Sequence, residues 1–69
     1  MLYPNLEAEM ARHEVTQDEL ARTLGKRPET ISNWMNGKNG DFSISAAMRI
    51  KEEKFPNCDV EYLFERKAG

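Results

Sequence analysis

Thr16-Gln17-Asp18-Glu19-Leu20-Ala21-Arg22-Thr23-Leu24-Gly25-Lys26-Arg27-Pro28-Glu29-Thr30-Ile31-Ser32-Asn33-Trp34-Met35-Asn36-Gly37-Lys38 holds two short helical patterns separated by three residues. It opens on a capping box, in which the Thr16 hydroxyl accepts from the backbone N–H three residues on and the Glu19 carboxylate reaches back to the Thr16 N–H. Val15 can pack on Leu20 as a hydrophobic staple, so a helix is predicted to begin at Thr16. Leu20, Ala21 and Leu24 give it an apolar stripe, and Gly25 ends it, since only a residue without Cβ takes φ > 0 freely. Pro28 suits the first position of the next helix, 28–36, where its missing N–H would have no partner. Ile31, Trp34 and Met35 form the inner stripe of that helix, and Asn36-Gly37 is its stop because both residues tolerate the left-handed conformation.

Outward from this stretch the patterns stay helical. Toward the amino terminus, Asn5 is read as the cap of a first helix over about 5–13, with Glu7 and Glu9 in its opening turn and Leu6 and Met10 on one face behind Leu2. Toward the carboxyl terminus, Ser43 or Ser45 caps a fourth helix through Ile44, Ala47, Met48 and Ile50, which Phe55-Pro56 breaks. Asp59 caps a fifth, spanning Asp59–Glu65, with Cys58 and Leu63 in staple positions and Val60, Leu63 and Phe64 toward the core. His13 reads as a solvated residue at a helix end, Cys58 as a small buried hydrophobe, and Lys51-Glu52-Glu53-Lys54 as a solvated face held by i,i+3 pairing. No segment alternates at period two for long enough to be a strand. The expected fold is all-α, five short helices in one domain over 1–69, with a helix-turn-helix unit at about 16–36.

Composition narrows the function. A chain of 69 residues, 39% hydrophobic and 32% charged, has the balance of a small globular domain. Its apolar runs reach two or three residues, far short of the roughly 20 that cross a bilayer. The opening Met1-Leu2-Tyr3-Pro4-Asn5 has no basic stretch and apolar core of a signal peptide, and the single Cys58 forms no internal disulfide, so a cytoplasmic protein is expected. One His and one Cys do not make the usual zinc site, and no nucleophile, phosphate-loop or paired-carboxylate motif accompanies them. A binding module without cofactor or metal is therefore expected rather than an enzyme. The net charge of −2 opposes a nucleic-acid partner unless the charge is unevenly placed. It is: Thr16–Gly40 carries four basic residues against three acidic, and the rest of the chain six against nine.

The frame T-Q-x-E-L-A…L-G…I-S-x-W-x-x-G closely resembles the Cro/repressor-type (XRE-like) helix-turn-helix family of phage and bacterial regulators. The fourth and fifth helical patterns resemble that family more weakly, so nearly the whole chain is covered. The resemblance implies double-stranded DNA as partner, with the second helix of the unit in the major groove. Opposite Ile31, the residues Glu29, Ser32, Asn33 and Asn36 form a polar outer face. Asn33 can pair bidentately with adenine, Glu29 can accept from cytosine, Arg27 can reach guanine, and Pro28 and the Thr30 methyl can meet a thymine methyl. The candidate base-contacting residues are Arg27, Pro28, Glu29, Ser32 and Asn33. Gln17 stands where the family's glutamine holds a phosphate, and Thr16, Lys26, Asn36 and Lys38 are candidate companions. Each of these has a plainer reading: Glu29 as a helix-dipole carboxylate, Asn36 as a C-cap, Lys38 as a loop charge, Arg27 as a phosphate contact rather than a base reader. Two departures stand out. Met10 and Met35 occupy positions where many members carry an Arg–Glu ion pair, and Arg27 stands where Ser or Thr often caps the recognition helix.

The implied activity is sequence-specific transcriptional regulation, typically repression, by a symmetric homodimer on a pseudo-palindromic operator. The resemblance puts the dimer contact near Phe55–Val60 and Phe64. The alternative is a protein-interaction module of the same fold, antitoxin-like or an adaptor, with weak or no DNA binding, supported by the net charge and Glu29.

Overall fold

The computed structural model describes residues 2–67; Met1, Ala68 and Gly69, which the expected 1–69 domain includes, lie outside the described residues. It contains α1 (Pro4–His13), α2 (Gln17–Leu24), α3 (Pro28–Met35), α4 (Ile44–Lys54) and α5 (Val60–Leu63), and no strand among the described residues. The order and number of helices are those expected. α2 packs on both α3 and α4, while α5 packs on α1 and α4. One core joins all five: Leu6 and Met10 from α1, Leu20 and Ala21 from α2, Ile31 and Met35 from α3, Ile50 from α4 and Leu63 from α5, with Tyr3 and Phe55 beside them. Met10 and Met35 are both buried, so these two positions hold thioether packing rather than an ion pair.

Several local expectations need correction. α1 starts one residue earlier than Asn5, because Pro4 takes its first turn and Tyr3 stands at the cap with no side-chain bond. Asn5 instead donates from Nδ2 to the Tyr62 carbonyl at 3.0 Å, across to α5. Glu9 lies beyond the opening turn and is 3% exposed, the one charged side chain in the core among the described residues. α1 ends at Glu14, which adopts φ +56 while its N–H and that of Val15 bond Ala11 and Met10 carbonyls. That is a glycine-type terminator built with a glutamate. In α4 the cap is Ser43, whose hydroxyl accepts from the Ala46 N–H at 3.1 Å. Ala47 and Ile50 face inward as expected, but Ile44 is 86% and Met48 40% exposed, since α4 buries only the stripe that meets α2 and α5. The Lys51–Lys54 run is held by longer-range contacts: Lys51 donates to the Pro56 carbonyl, Lys54 pairs with Glu19, and Glu53 pairs with Arg49. α5 is a single turn, shorter than Asp59–Glu65, and Asp59 sits at its cap without a side-chain bond.

Phe55 is 1% exposed and its ring meets His13 edge-on at 5.5 Å, so it belongs to the core and not to an exposed dimer surface. His13 is exposed at the end of α1, as expected, and lays the edge of its ring against Phe55. A second aromatic group joins the two ends of the chain to the middle: Phe42 lies edge-on to Tyr3, Trp34 and Phe64 at 5.3–5.7 Å. Backbone bonds reinforce it, Leu2 N–H to the Met35 carbonyl at 3.2 Å and Lys67 N–H to the Leu2 carbonyl at 2.9 Å. The last carbonyl of α3 is thereby satisfied by the amino-terminal segment, which the carboxyl-terminal segment holds in turn.

Candidate nucleic-acid interface

The start of α2 forms as its sequence dictates. Thr16 Oγ1 accepts from the Glu19 N–H at 3.2 Å and Glu19 Oε1 accepts from the Thr16 N–H at 3.4 Å, closing both halves of the capping box. Gln17 is therefore the first helical residue, half-buried, with its amide at a helix start where backbone N–H groups have no partner inside the helix. Three residues separate α2 from α3. Gly25 takes φ +67, and the Gly25 and Lys26 N–H groups bond the Arg22 and Ala21 carbonyls at 3.3 and 2.9 Å. This double closure turns the chain sharply enough for α3 to lie across α2, with Ala21, 2% exposed, at the seam between the elements.

Pro28 opens α3 and Arg27 stands at its cap without a side-chain bond, so the Arg27 guanidinium is uncommitted to the helix. Lys26, Arg27, Pro28 and Glu29 are exposed together at this end; Ser32 and Asn33 follow on the next turn, half-buried. Among the described residues, no hydrogen bond of the structure engages the Asn33 side-chain amide. Its backbone carbonyl is engaged, taking the Lys38 N–H at 2.7 Å and the Asn36 N–H at 3.1 Å. Asn36 and Lys38 are exposed at the far end of α3, about 12 Å along the axis from Pro28 at 1.5 Å per residue. The stop there differs from expectation: Asn36 has φ −104, and only Gly37, at φ +71, is left-handed. The Asn36 side chain donates from Nδ2 to the Ser32 carbonyl at 2.9 Å, which is the plainer cap role.

Two of the candidate phosphate-contacting residues, Thr16 and Lys26, line different depressions of the surface. Thr16 lines a depression with Asp18, Glu19, Arg22 and Lys54. Lys26 lines a different groove of about 460 Å³, together with Leu24, Trp34, Asp41, Ser43, Ser45, Ala46 and Arg49. Sequence reasoning does not find Ser43, Ser45 and Arg49 as parts of this surface. The Ser-x-Ser before an amphipathic run is a visible signal, but locally it announces only a cap. α4 begins in this groove, where Ser43, Ser45 and Ala46 line the same space as Lys26 and the Ala46 N–H is taken by the Ser43 hydroxyl. Arg49 is shared with Glu53 at 2.8 Å. Trp34 is half-buried between Phe42 and Gly40, where a Cβ would come within 3.2 Å of the indole Nε1. The indole thus anchors the loop between α3 and α4 to the body of α3.

No group of His, Cys, Asp and Glu able to hold a metal ion occurs among the described residues, and no helix among them is long and apolar enough to cross a membrane. No curated protein and no solved structure matches the chain. A family model described as helix-turn-helix matches residues 6–63, from the third residue of α1 to the end of α5. The match covers the capped α2, the three-residue glycine turn and the proline-started α3 with its polar outer face, and the chain belongs to this Cro/repressor-type, XRE-like family of DNA-binding helix-turn-helix regulators.

Proposed function

We propose that the chain is a sequence-specific transcriptional regulator, a repressor of phage or prophage type, that reads an operator with α3. The whole chain acts as one DNA-binding domain. Arg27, Pro28, Glu29, Ser32 and Asn33 contact base edges, and Thr16, Gln17, Lys26 and Lys38 contact phosphates, while the Asn36 amide stays on its cap bond to Ser32. The observation that carries this reading is the Asn33 amide: it stands on the outer face of α3 without an intramolecular partner among the described residues, beside the exposed turn Lys26–Glu29. A bidentate contact of that amide to adenine contributes about 1–3 kcal/mol of discrimination.

The domain spans 30 Å at its longest, less than the roughly 34 Å between successive major grooves on one side of a duplex. One copy therefore reads one half-site, and the proposed regulator is a symmetric homodimer on a pseudo-palindrome. Pro56, Asn57 and Asp59, exposed in the connection between α4 and α5, with the half-buried Val60 and Phe64, are the proposed contact. Promoter occlusion is the mechanism of regulation that this arrangement supplies.

The test is retention of a randomised duplex pool by fluorescence anisotropy at low and high salt, with sequencing of the retained DNA. Enrichment of a palindrome whose binding weakens with salt and with Asn33→Ala supports the reading. Retention that is absent at low salt selects a second reading, an adaptor-like protein-interaction module, which the exposed Glu29 carboxylate on the outer face of α3 favours.

A further inference from the structure

Asp41 lies on the loop between α3 and α4 and lines the same groove as Lys26 and Ser43. A bare carboxylate there would repel the phosphates that Lys26 is proposed to meet, because charges within about 8 Å are poorly screened at physiological salt. The Asp41 side chain is not bare. Oδ1 accepts from the Phe42 N–H at 2.8 Å and from the Tyr3 hydroxyl, and Oδ2 pairs with the Arg66 guanidinium. Tyr3 and the Phe42 N–H fix the carboxylate but leave its charge; Arg66 alone among these three partners offsets it. Arg66 is delivered by the fold. It follows α5, its guanidinium lies 5.9 Å from the Tyr3 ring centre, and the next residue bonds Leu2, which bonds the end of α3.

We propose that Arg66 is a positioning residue for DNA binding that acts through Asp41. It offsets the one carboxylate lining the Lys26 groove and holds the loop between α3 and α4 against the recognition helix. This rests on the DNA-binding reading above. The pair is more than a quarter exposed on both sides, so it contributes little to stability. Its effect belongs to binding. Without Arg66 the loop presents an uncompensated negative charge beside Lys26, and affinity for any duplex falls irrespective of sequence.

The experiment measures anisotropy of a fluorescein-labelled random-sequence duplex pool of about 24 base pairs with the native chain, Arg66→Gln, Arg66→Lys, Asp41→Asn and the double variant Arg66→Gln/Asp41→Asn. Melting followed by circular dichroism accompanies each. At about 50 mM salt, Arg66→Gln is expected to bind about fivefold more weakly, the gap shrinking below about twofold near 300 mM as screening shortens. Arg66→Lys keeps the native affinity. Asp41→Asn binds at least as tightly as the native chain, and adding it to Arg66→Gln restores binding to within about twofold of native. Native binding by Arg66→Gln, or a double variant as weak as Arg66→Gln, overturns the proposal while the DNA-binding reading stands. A native chain that the pool does not retain at about 50 mM salt overturns both.

Discussion

The Tyr62 hydroxyl donates to Glu9 Oε2 at 2.9 Å, joining α5 to a carboxylate that α1 buries. Three further groups converge on the same side chain: Arg12 at 3.1 Å, His13 at 3.4 Å and the Cys58 thiol at 3.7 Å. A buried carboxylate is tolerated only where such donors replace its water. α5 is one turn long, so this cluster and the burial of Leu63 fix its position.

Stability should depend on pH through this cluster. The Tyr62 hydrogen bond, with Arg12, Cys58 and His13 behind it, outweighs desolvation and holds Glu9 below its ordinary value of 4.5. A depressed carboxylate stabilises the fold above its unfolded value and loses that contribution as pH falls through the folded one. Tyr62, bonded to Glu9, and Cys58, desolvated and facing Glu9, are raised above their ordinary values of 10.0 and 9.0. Their contributions are present below those values and disappear as pH rises beyond them. Thermal melts should therefore give a plateau near neutrality with declines on both sides. The acid decline should flatten in Glu9→Gln and shrink in Tyr62→Phe, where the folded value of Glu9 moves back toward its ordinary one; an unchanged acid limb in both variants would assign the decline to other carboxylates.

Two helix ends make a matched pair of backbone predictions. Gly25 has φ +67 with nothing within 4 Å of the position a methyl group would take, so Gly25→Ala adds left-handed strain and no clash. The loss should be about 1 kcal/mol, a melting decrease of about 4–8 °C. Glu14 already carries that strain at φ +56. Glu14→Gly should relieve it and raise stability by about 0.5 kcal/mol after the greater freedom of the unfolded glycine is set against it. Denaturant midpoints of the two variants moving in the same direction would contradict the shared explanation.

Those two ends also mark what a sequence makes legible. Thr16, Gly25 and Pro28 announce α2, its stop and α3 because each device is completed within four residues. Glu14 gives no such notice, since glutamate has no preference for the conformation it adopts there. The Glu9–Tyr62 and Asp41–Arg66 pairs join residues 53 and 25 positions apart, and nothing local encodes them. Ile44 and Met48 fit a helical stripe as well as Ala47 and Ile50 do, and only the placement of α2 and α5 decides which stripe is covered. The outer face of α3 is readable because Ile31 and Met35 fix its inner side. The groove beside Lys26 is not, because it depends on where the loop after α3 returns.

Asn36 separates cap from contact. Its Nδ2 is spent on the Ser32 carbonyl, so Asn36→Ala should lower stability by about 0.5 kcal/mol. Duplex affinity should stay within about twofold and keep its salt dependence, because no charge is removed. A large affinity loss with an unchanged melting temperature would return Asn36 to the phosphate-contacting set.

Asn33, Gln17 and Lys26 should fail in three different ways. Asn33→Ala removes an amide free of intramolecular bonds among the described residues, so it should weaken a selected operator by about 1–3 kcal/mol and relax preference at one base pair per half-site. Binding to random duplex should change little. Gln17→Ala deletes a neutral hydrogen bond at the start of α2, so operator and random duplex should weaken together with the salt slope preserved. Lys26→Gln removes a charge beside the start of α4, so both should weaken and the slope of log affinity against log salt should fall by about 1. Measuring the three variants on both duplexes across salt therefore separates base reading, helix-start anchoring and charge neutralisation. If Asn33→Ala weakened random duplex as much as operator, the side chain would be positioning α3 rather than reading sequence.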